Sequence, residues 1–186
     1  FGYCEHYLVL REIIDGQKVQ GGIVPLPGDF VSGAHRGAFS KMDGHLYVVG
    51  TDGWQSYASE NGSLERIRWT GGDMVLPDSV ETRKNGLIIR FNEFIDSKSL
   101  DINKAFAAQW NYLYSGAYGS PEYSVRNPGI TGHDPVKIDS LNLLEDGKSI
   151  FVEIPQLHTV MQFHLYLELK TRDGRSFKPD IYYSIF

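Results

Sequence analysis

An all-β fold is predicted for this chain of 186 residues, on three observations. Asp-Gly or Asn-Gly dipeptides, which accept the positive φ values of tight hairpin turns, recur at Asp15-Gly16, Asp43-Gly44, Asp52-Gly53, Asn61-Gly62, Asn85-Gly86, Asp146-Gly147 and Asp173-Gly174. The runs between them are short and rich in β-branched and aromatic residues. Finally, the stretch "MQFHLYLELK" alternates with the two-residue period of a strand: Met161, Phe163, Leu165, Leu167 and Leu169 fall on one face, and Gln162, His164, Tyr166, Glu168 and Lys170 on the other.

Taken in order, strands are expected at Tyr7 to Ile14, Leu46 to Val49, Leu64 to Trp69, Leu87 to Phe91 and Ser149 to Ile154. The segment "SLDINKAFAAQW" is the one place where a helix competes, because it is rich in alanine. The alternation of Phe106, Ala108, Trp110, Tyr112 and Tyr114 decides for a strand. "MQFHLYLELK" completes the set as a half-buried antiparallel strand with Met161 in the core.

Composition excludes several classes. Hydrophobic residues at 41 % with charged residues at 22 % describe a folded chain, neither disordered nor fibrous. A net charge of -5 without any Lys/Arg run lacks the electrostatic footprint of a nucleic-acid binder. No apolar stretch approaches the roughly 20 residues of a membrane-spanning helix. Cys4 is the single cysteine, so there is no internal disulfide and no CxxC motif. The chain opens at Phe1 without a charged segment leading into an apolar one, which reads as a processed chain or a piece of a longer protein.

Near "WTGGDMVLPDSVE" the composition changes: glycine and aromatics cluster before it, while longer strands and loops with Ser, Asn and Pro follow. Residues 1–72 are therefore expected to form one segment, 73–77 a hinge and 78–186 a second domain. The first segment carries Gln20-Gly21-Gly22, Gly33 with Arg36, Asp43-Gly44 with Leu46-Tyr47, Gly53-Trp54, and the run from Arg66 to Gly71. With these it resembles the closing part of the β-propeller in large secreted bacterial proteins related to the pyrroloquinoline-quinone (PQQ) glucose/sorbosone dehydrogenases, many of which carry a c-type cytochrome domain. Residues 85–169 resemble the domain that follows such propellers and are similar to bacterial immunoglobulin-like sandwiches.

The resemblance implies the last blade or blades of a β-propeller followed by an antiparallel immunoglobulin-like β-sandwich, in a periplasmic or extracellular setting. It places no quinone or haem ligand set in this chain; haem c or PQQ would sit in the rest of the protein, with the remaining propeller and cytochrome portion as partners. At about 40 residues per repeat, residues 1–72 hold about two blades' worth of strands. A lone blade cannot bury both faces, so a partner surface is expected.

Several groups can carry chemistry. His35-Arg36 lies in "SGAHRGAF", read as a glycine-bracketed loop: Arg36 can clamp an anion and His35 act as base or ligand, or Arg36 bonds turn carbonyls and His35 is solvated. Trp54 is a stacking platform or a wedge between blades. In "GITGHDPVKI", His133 and Asp134 can contribute to a site, but neighbours on an extended chain point opposite ways, and an Asp-Pro turn is the simpler reading.

"NYLYSGAYGSPEYS" supplies Tyr112, Tyr114, Tyr118 and Tyr123 for stacking on carbohydrate, with Asn111 and Glu122 to bond hydroxyls, or else a seam against a neighbour. "DSKSLDIN" offers oxygens at Asp96, Ser97, Ser99, Asp101 and Asn103 but lacks the glycine and closing glutamate of an EF-hand loop, so a polar turn is expected. His158 and Met161 are formally haem ligands, yet Met161 lies in phase with the apolar face. GxSxG, HExxH, P-loop and GxGxxG signatures are absent. Two functions remain: the structural or docking part of a quinone- or haem-linked oxidoreductase, or a non-catalytic module binding carbohydrate or protein.

Overall fold

The computed structural model describes residues 4–14, 16–52, 58–68, 70–72, 74–114, 116 and 118–186. The described residues are all-β, in several antiparallel sheets of which none closes on itself. The chain divides into two compact units: Phe1–Leu8 with Pro25–Met74, and Val9–Val24 with Val75–Phe186.

In chain order the strands are β1 (Tyr7–Ile14), β2 (Lys18–Pro25), β3 (Gly33–Phe39), β4 (Leu46–Thr51), β5 (Gly62–Ile67), β6 (Pro77–Arg83), β7 (Gly86–Phe91) and β8 (Ala105–Tyr112). They continue as β9 (Glu122–Tyr123), β10 (Asp134–Pro135), β11 (Ser140–Leu143), β12 (Ser149–Glu153), β13 (Val160–Leu167), β14 (Leu169–Lys170), β15 (Ser176–Phe177) and β16 (Asp180–Ile185). Four of the expected dipeptides join neighbouring strands with left-handed glycines: Gly16, Gly44, Gly147 and Gly174 have φ of 72°, 72°, 68° and 92°, while Gly86, where β6 turns into β7, has φ of 159° and Gly62 opens β5 without a positive φ.

The first unit is built on one three-stranded sheet, β3-β4-β5. Val48 is buried, and Gly50 brings the backbone close to Ser32, whose hydroxyl bonds that of Ser63 at 2.6 Å. Elsewhere the sheet is open: Phe39 is 74 % and Leu64 69 % exposed. "SGAHRGAF", expected as a loop, is the strand β3 with a register shift between Ala34 and Arg36.

The second unit is sandwich-like. One sheet runs β1-β2-β16-β13-β8-β10 with β9 beside β8; the other runs β11-β12-β7-β6. Alternation puts Phe163, Leu165, Leu167, Ile181, Tyr183 and Ile185 of the first sheet, and Leu87, Ile89, Phe91, Ile150 and Val152 of the second, in the core. Each aliphatic side chain so buried contributes about 1.5–3 kcal/mol. β8 is a strand, as its alternation requires.

Two expectations about this unit are corrected. Residues 9–24 do not belong with a 1–72 segment. Gly22 pairs with Tyr183 and Ile23 with Tyr182, so the β1–β2 hairpin extends the sheet of the C-terminal strand. The chain enters the second unit for good at Val75. Met161 is not in the core but 47 % exposed, because the β13 register shifts between Val160 and Phe163 and gives the inward position to Val160.

Candidate functional site

β8 is the strand around which the candidate residues of the second unit gather. Its residues alternate between the core side, where Ala107 lies opposite Leu165 and Gln109 opposite Phe163, and the outer side, where Ala108 lies opposite His164 and Trp110 opposite Gln162. Past its end, the backbone N–H of Leu113 donates to Ser120 Oγ at 2.9 Å and closes a loop that returns as β9. Asn111 then pairs with Tyr123, and Tyr112 with Glu122.

On that loop Tyr118 is 95 % exposed, Tyr114 is fully exposed and Leu113 is half exposed. Tyr112 behaves differently: its hydroxyl accepts from Trp110 Nε1 at 3.1 Å. Tyr123 is half-buried in the short β9 ladder. The four tyrosines of the sequence motif therefore separate into two structural members, Tyr112 and Tyr123, and two free rings.

His133 and Asp134 point to opposite sides, as adjacent residues on an extended chain must. The His133 ring stacks on Trp110 with centroids 3.8 Å apart and planes 9° from parallel, and its Nε2 bonds the Glu122 carboxylate. Asp134 turns inward. Its carboxylate accepts from the Ser124 hydroxyl at 2.7 Å and from the backbone N–H groups of Val125 and Arg126 at 2.7 and 2.8 Å. Burial alone would raise this carboxyl, but the Arg126 N–H, the Ser124 hydroxyl, the Val125 N–H and the Arg126 charge outweigh it and hold it below the usual carboxylate range. The pair thus pins a corner rather than chelating.

Behind that corner, Gln109, Arg126, Lys137, Asp139, Gln156 and His158 line a cleft of about 520 Å³. Arg126 donates to the Pro135 carbonyl at 2.9 Å, and Lys137 reaches Asp139 at 2.7 Å. Gln109 is 2 % exposed, and its Oε1 has no hydrogen-bond partner among the described residues. A buried amide oxygen left in that state costs about 1–3 kcal/mol.

His35 and Arg36 lie in the first unit, exposed on β3, with Arg36 opposite Val49. Trp54 lies outside the described residues. In "DSKSLDIN", Asp96 and Asp101 each cap a turn of 3-10 helix, accepting from the backbone N–H of Lys98 and of Asn103. Their carboxylates are satisfied by the chain itself.

Sequence reasoning missed Gln109, Arg126, Lys137, Asp139 and Gln156. No local signal marked Gln109: the alternation of Phe106, Ala108 and Trp110 leaves the glutamine on the polar phase of the strand, and only the structure shows that this phase faces the core. Comparison with known proteins returned nothing: no protein family, no curated protein and no solved structure matches this chain.

Proposed function

We propose that the chain is a non-catalytic binding module that holds carbohydrate through Tyr114 and Tyr118. The observation that carries this reading is the contrast between these two rings and the other polar candidates of the second unit. His133 is stacked and bonded, and Asp134 is enclosed by three donors. Tyr114 and Tyr118 stand with their faces in solvent. An exposed tyrosine offers a flat apolar face and a hydroxyl at its rim, the combination that suits a sugar ring with its C–H face and hydroxyl edge. The intact protein, screened against a glycan panel, is expected to bind at least one glycan saturably, and Tyr118→Ala to weaken it about tenfold, equivalent to about 1.4 kcal/mol. Failure of the intact protein to bind any glycan overturns the proposal.

A second reading rests on the first unit. The β3-β4-β5 sheet leaves Phe39, Leu64 and Val49 exposed, as a propeller blade would without its neighbours. On this reading the chain is the docking part of a secreted or periplasmic redox protein resembling the quinone-dependent sugar dehydrogenases, followed by an immunoglobulin-like sandwich. Haem c or PQQ is then carried by other polypeptide. A native preparation is expected to contain a CxxCH segment and to sharpen its visible bands on reduction; a colourless, redox-silent preparation overturns it.

A further inference from the structure

The alternation of β3, β4 and β5 sorts the charges of the first unit between the two faces of its sheet. On one face Arg36 lies opposite Val49 and Val49 opposite Leu64; in the next row of that face Ala38 lies opposite Tyr47 and Tyr47 opposite Arg66. Arg68 follows just past the end of β5. Leu64 is 69 % and Val49 44 % exposed, and Arg36, Arg66 and Arg68 are exposed and make no ion pair among the described residues. Asp43 reaches this face, but its carboxylate accepts from the Tyr47 hydroxyl at 2.8 Å and the His45 backbone N–H at 3.1 Å. Asp52 and Glu60 lie past one end of the sheet and Lys41 past the other. On the opposite face Val48 is buried, and Glu65 accepts from the Val31 N–H at 3.1 Å and the Ser63 hydroxyl at 2.9 Å. The Cys4 thiol is pushed up by burial and then by Asp29, Glu5, Glu65 and Asp52, which places these carboxylates around it. In a chain of net charge -5, the face with Val49 and Leu64 is therefore both apolar and cationic.

We propose that this face docks an acidic polypeptide segment in extended form, with an aliphatic residue between two carboxylates. Neighbouring strands are ~4.8 Å apart and successive rows of one face ~6.8 Å, so Arg36 on β3 and Arg66 on β5 sit roughly 12 Å apart with Val49, Leu64 and Tyr47 between them. Residues i and i+4 of an extended chain lie on one side about 13 Å apart, with i+2 midway. Glutamates at the outer two positions meet the two guanidinium forks, and a leucine at the middle one covers Val49 and Leu64. A basic segment is repelled, and a neutral one gains nothing from the arginines. This proposal rests on the docking reading of the first unit and adds the chemistry of what docks; no cofactor enters it.

The test is titration of the intact chain, followed by amide NMR, with the end-blocked peptide Gly-Glu-Thr-Leu-Thr-Glu-Gly. One control peptide carries glutamine for both glutamates, the other threonine for leucine. Saturable shifts centred on Val49, Leu64 and Arg66 are expected, with the glutamine control at least about tenfold weaker and the threonine control about threefold weaker. Binding should weaken as salt rises, as contacts between exposed charges do. Arg36→Gln and Arg66→Gln are each expected to weaken the peptide about threefold with the melting temperature unchanged, since both side chains are exposed. The salt series needs no variant, so the test stays decisive should either substitution fold poorly. Peptide binding by a redox-silent preparation supports this surface and overturns the redox reading alone. Absence of saturable binding, equal binding of the glutamine control, indifference to salt, or shifts centred outside β3, β4 and β5 overturns the proposal.

Discussion

The Tyr183 hydroxyl donates to Glu12 Oε2 across 2.9 Å, joining the last strand of the chain to the first. The same carboxylate accepts from Gln20 Nε2 at 2.6 Å and from the backbone N–H and hydroxyl of Thr82 at 2.8 and 2.9 Å. Gln20 in turn donates to the Thr82 hydroxyl and accepts from the backbone N–H of Phe186. Strands β1, β2, β6 and β16, far apart in sequence, thus share one polar cluster beside the core of the second unit.

This cluster is expected to hold the β1–β2 hairpin in place. Glu12→Ala leaves Thr82 N–H and Tyr183 without an acceptor and should lower stability by about 2 kcal/mol, and Tyr183→Phe by about 1 kcal/mol. The two losses should not add, because both act through one carboxylate. Urea unfolding of the two single variants and the double variant measures the coupling; strict additivity would show that the contact is not formed.

The pH dependence follows from the same groups. Burial raises Glu12, but the bonds from Gln20, Thr82 and Tyr183 outweigh it, so the folded carboxyl sits below its usual value, as Asp134 does. Their stabilisation is present above the unfolded value of about 4 and is lost as pH falls through the folded one. Tyr183 is pushed up, by burial first and by the Glu12 hydrogen bond and charge next. Its stabilisation is present below about 10 and is lost as pH rises beyond that. The melting temperature should therefore fall on both sides of a plateau near neutrality. Tyr183→Phe should soften the alkaline fall and, by removing one of the donors that hold Glu12 down, soften the acid one to a lesser degree.

Gly22 is expected to tolerate no side chain. A Cβ there would lie 2.0 Å from the Tyr182 carbonyl oxygen and 2.8 Å from the Tyr183 Cα, both backbone atoms that a rotamer change cannot move. Gly22→Ala should loosen the β2–β16 pairing and destabilise by about 1–3 kcal/mol. Amide exchange should quicken first in Lys18–Pro25 and Asp180–Ile185; unchanged protection there would contradict the pairing.

Asp134 is expected to matter for the corner between β9 and β10 rather than for chemistry. Asp134→Ala strands the Ser124 hydroxyl and two backbone N–H groups and should cost about 1–3 kcal/mol; Asp134→Asn, which keeps one acceptor, should cost less. Both measurements need only thermal unfolding. An unchanged melting temperature in Asp134→Ala would return Asp134 to the list of ligand-binding candidates.

Local features of this fold were legible and distant ones were not. The turns at Asp43-Gly44, Asp146-Gly147 and Asp173-Gly174, the strand at Tyr7–Ile14 and the alternation of β13 from Phe163 on depend on a few consecutive residues, and they stand where the dipeptides and periodicity put them; Gly53 of Asp52-Gly53 lies outside the described residues. Met161 departs because a single extra residue in a bulge shifts the phase, and no local pattern marks that insertion. Gly21 and Gly22, given in the sequence only as part of the motif that carries the propeller resemblance, serve close packing, against Leu10 and Tyr182 respectively. The Glu12 cluster and the Gln109 cleft depend on partners tens to more than a hundred residues away. For the site, the separation of His133 from Asp134 followed from strand geometry alone, whereas which tyrosines remain free depended on the Trp110 and Ser120 hydrogen bonds.

The most direct test of the binding account is calorimetric titration of the intact chain with the best glycan from a panel, repeated on Tyr114→Ala, Tyr118→Ala. The account predicts saturable binding by the parent and at least about a tenfold loss in the double variant, with the melting temperature unchanged, since both rings are solvent-exposed. Equal affinity in parent and variant, or no binding by the parent, would contradict it.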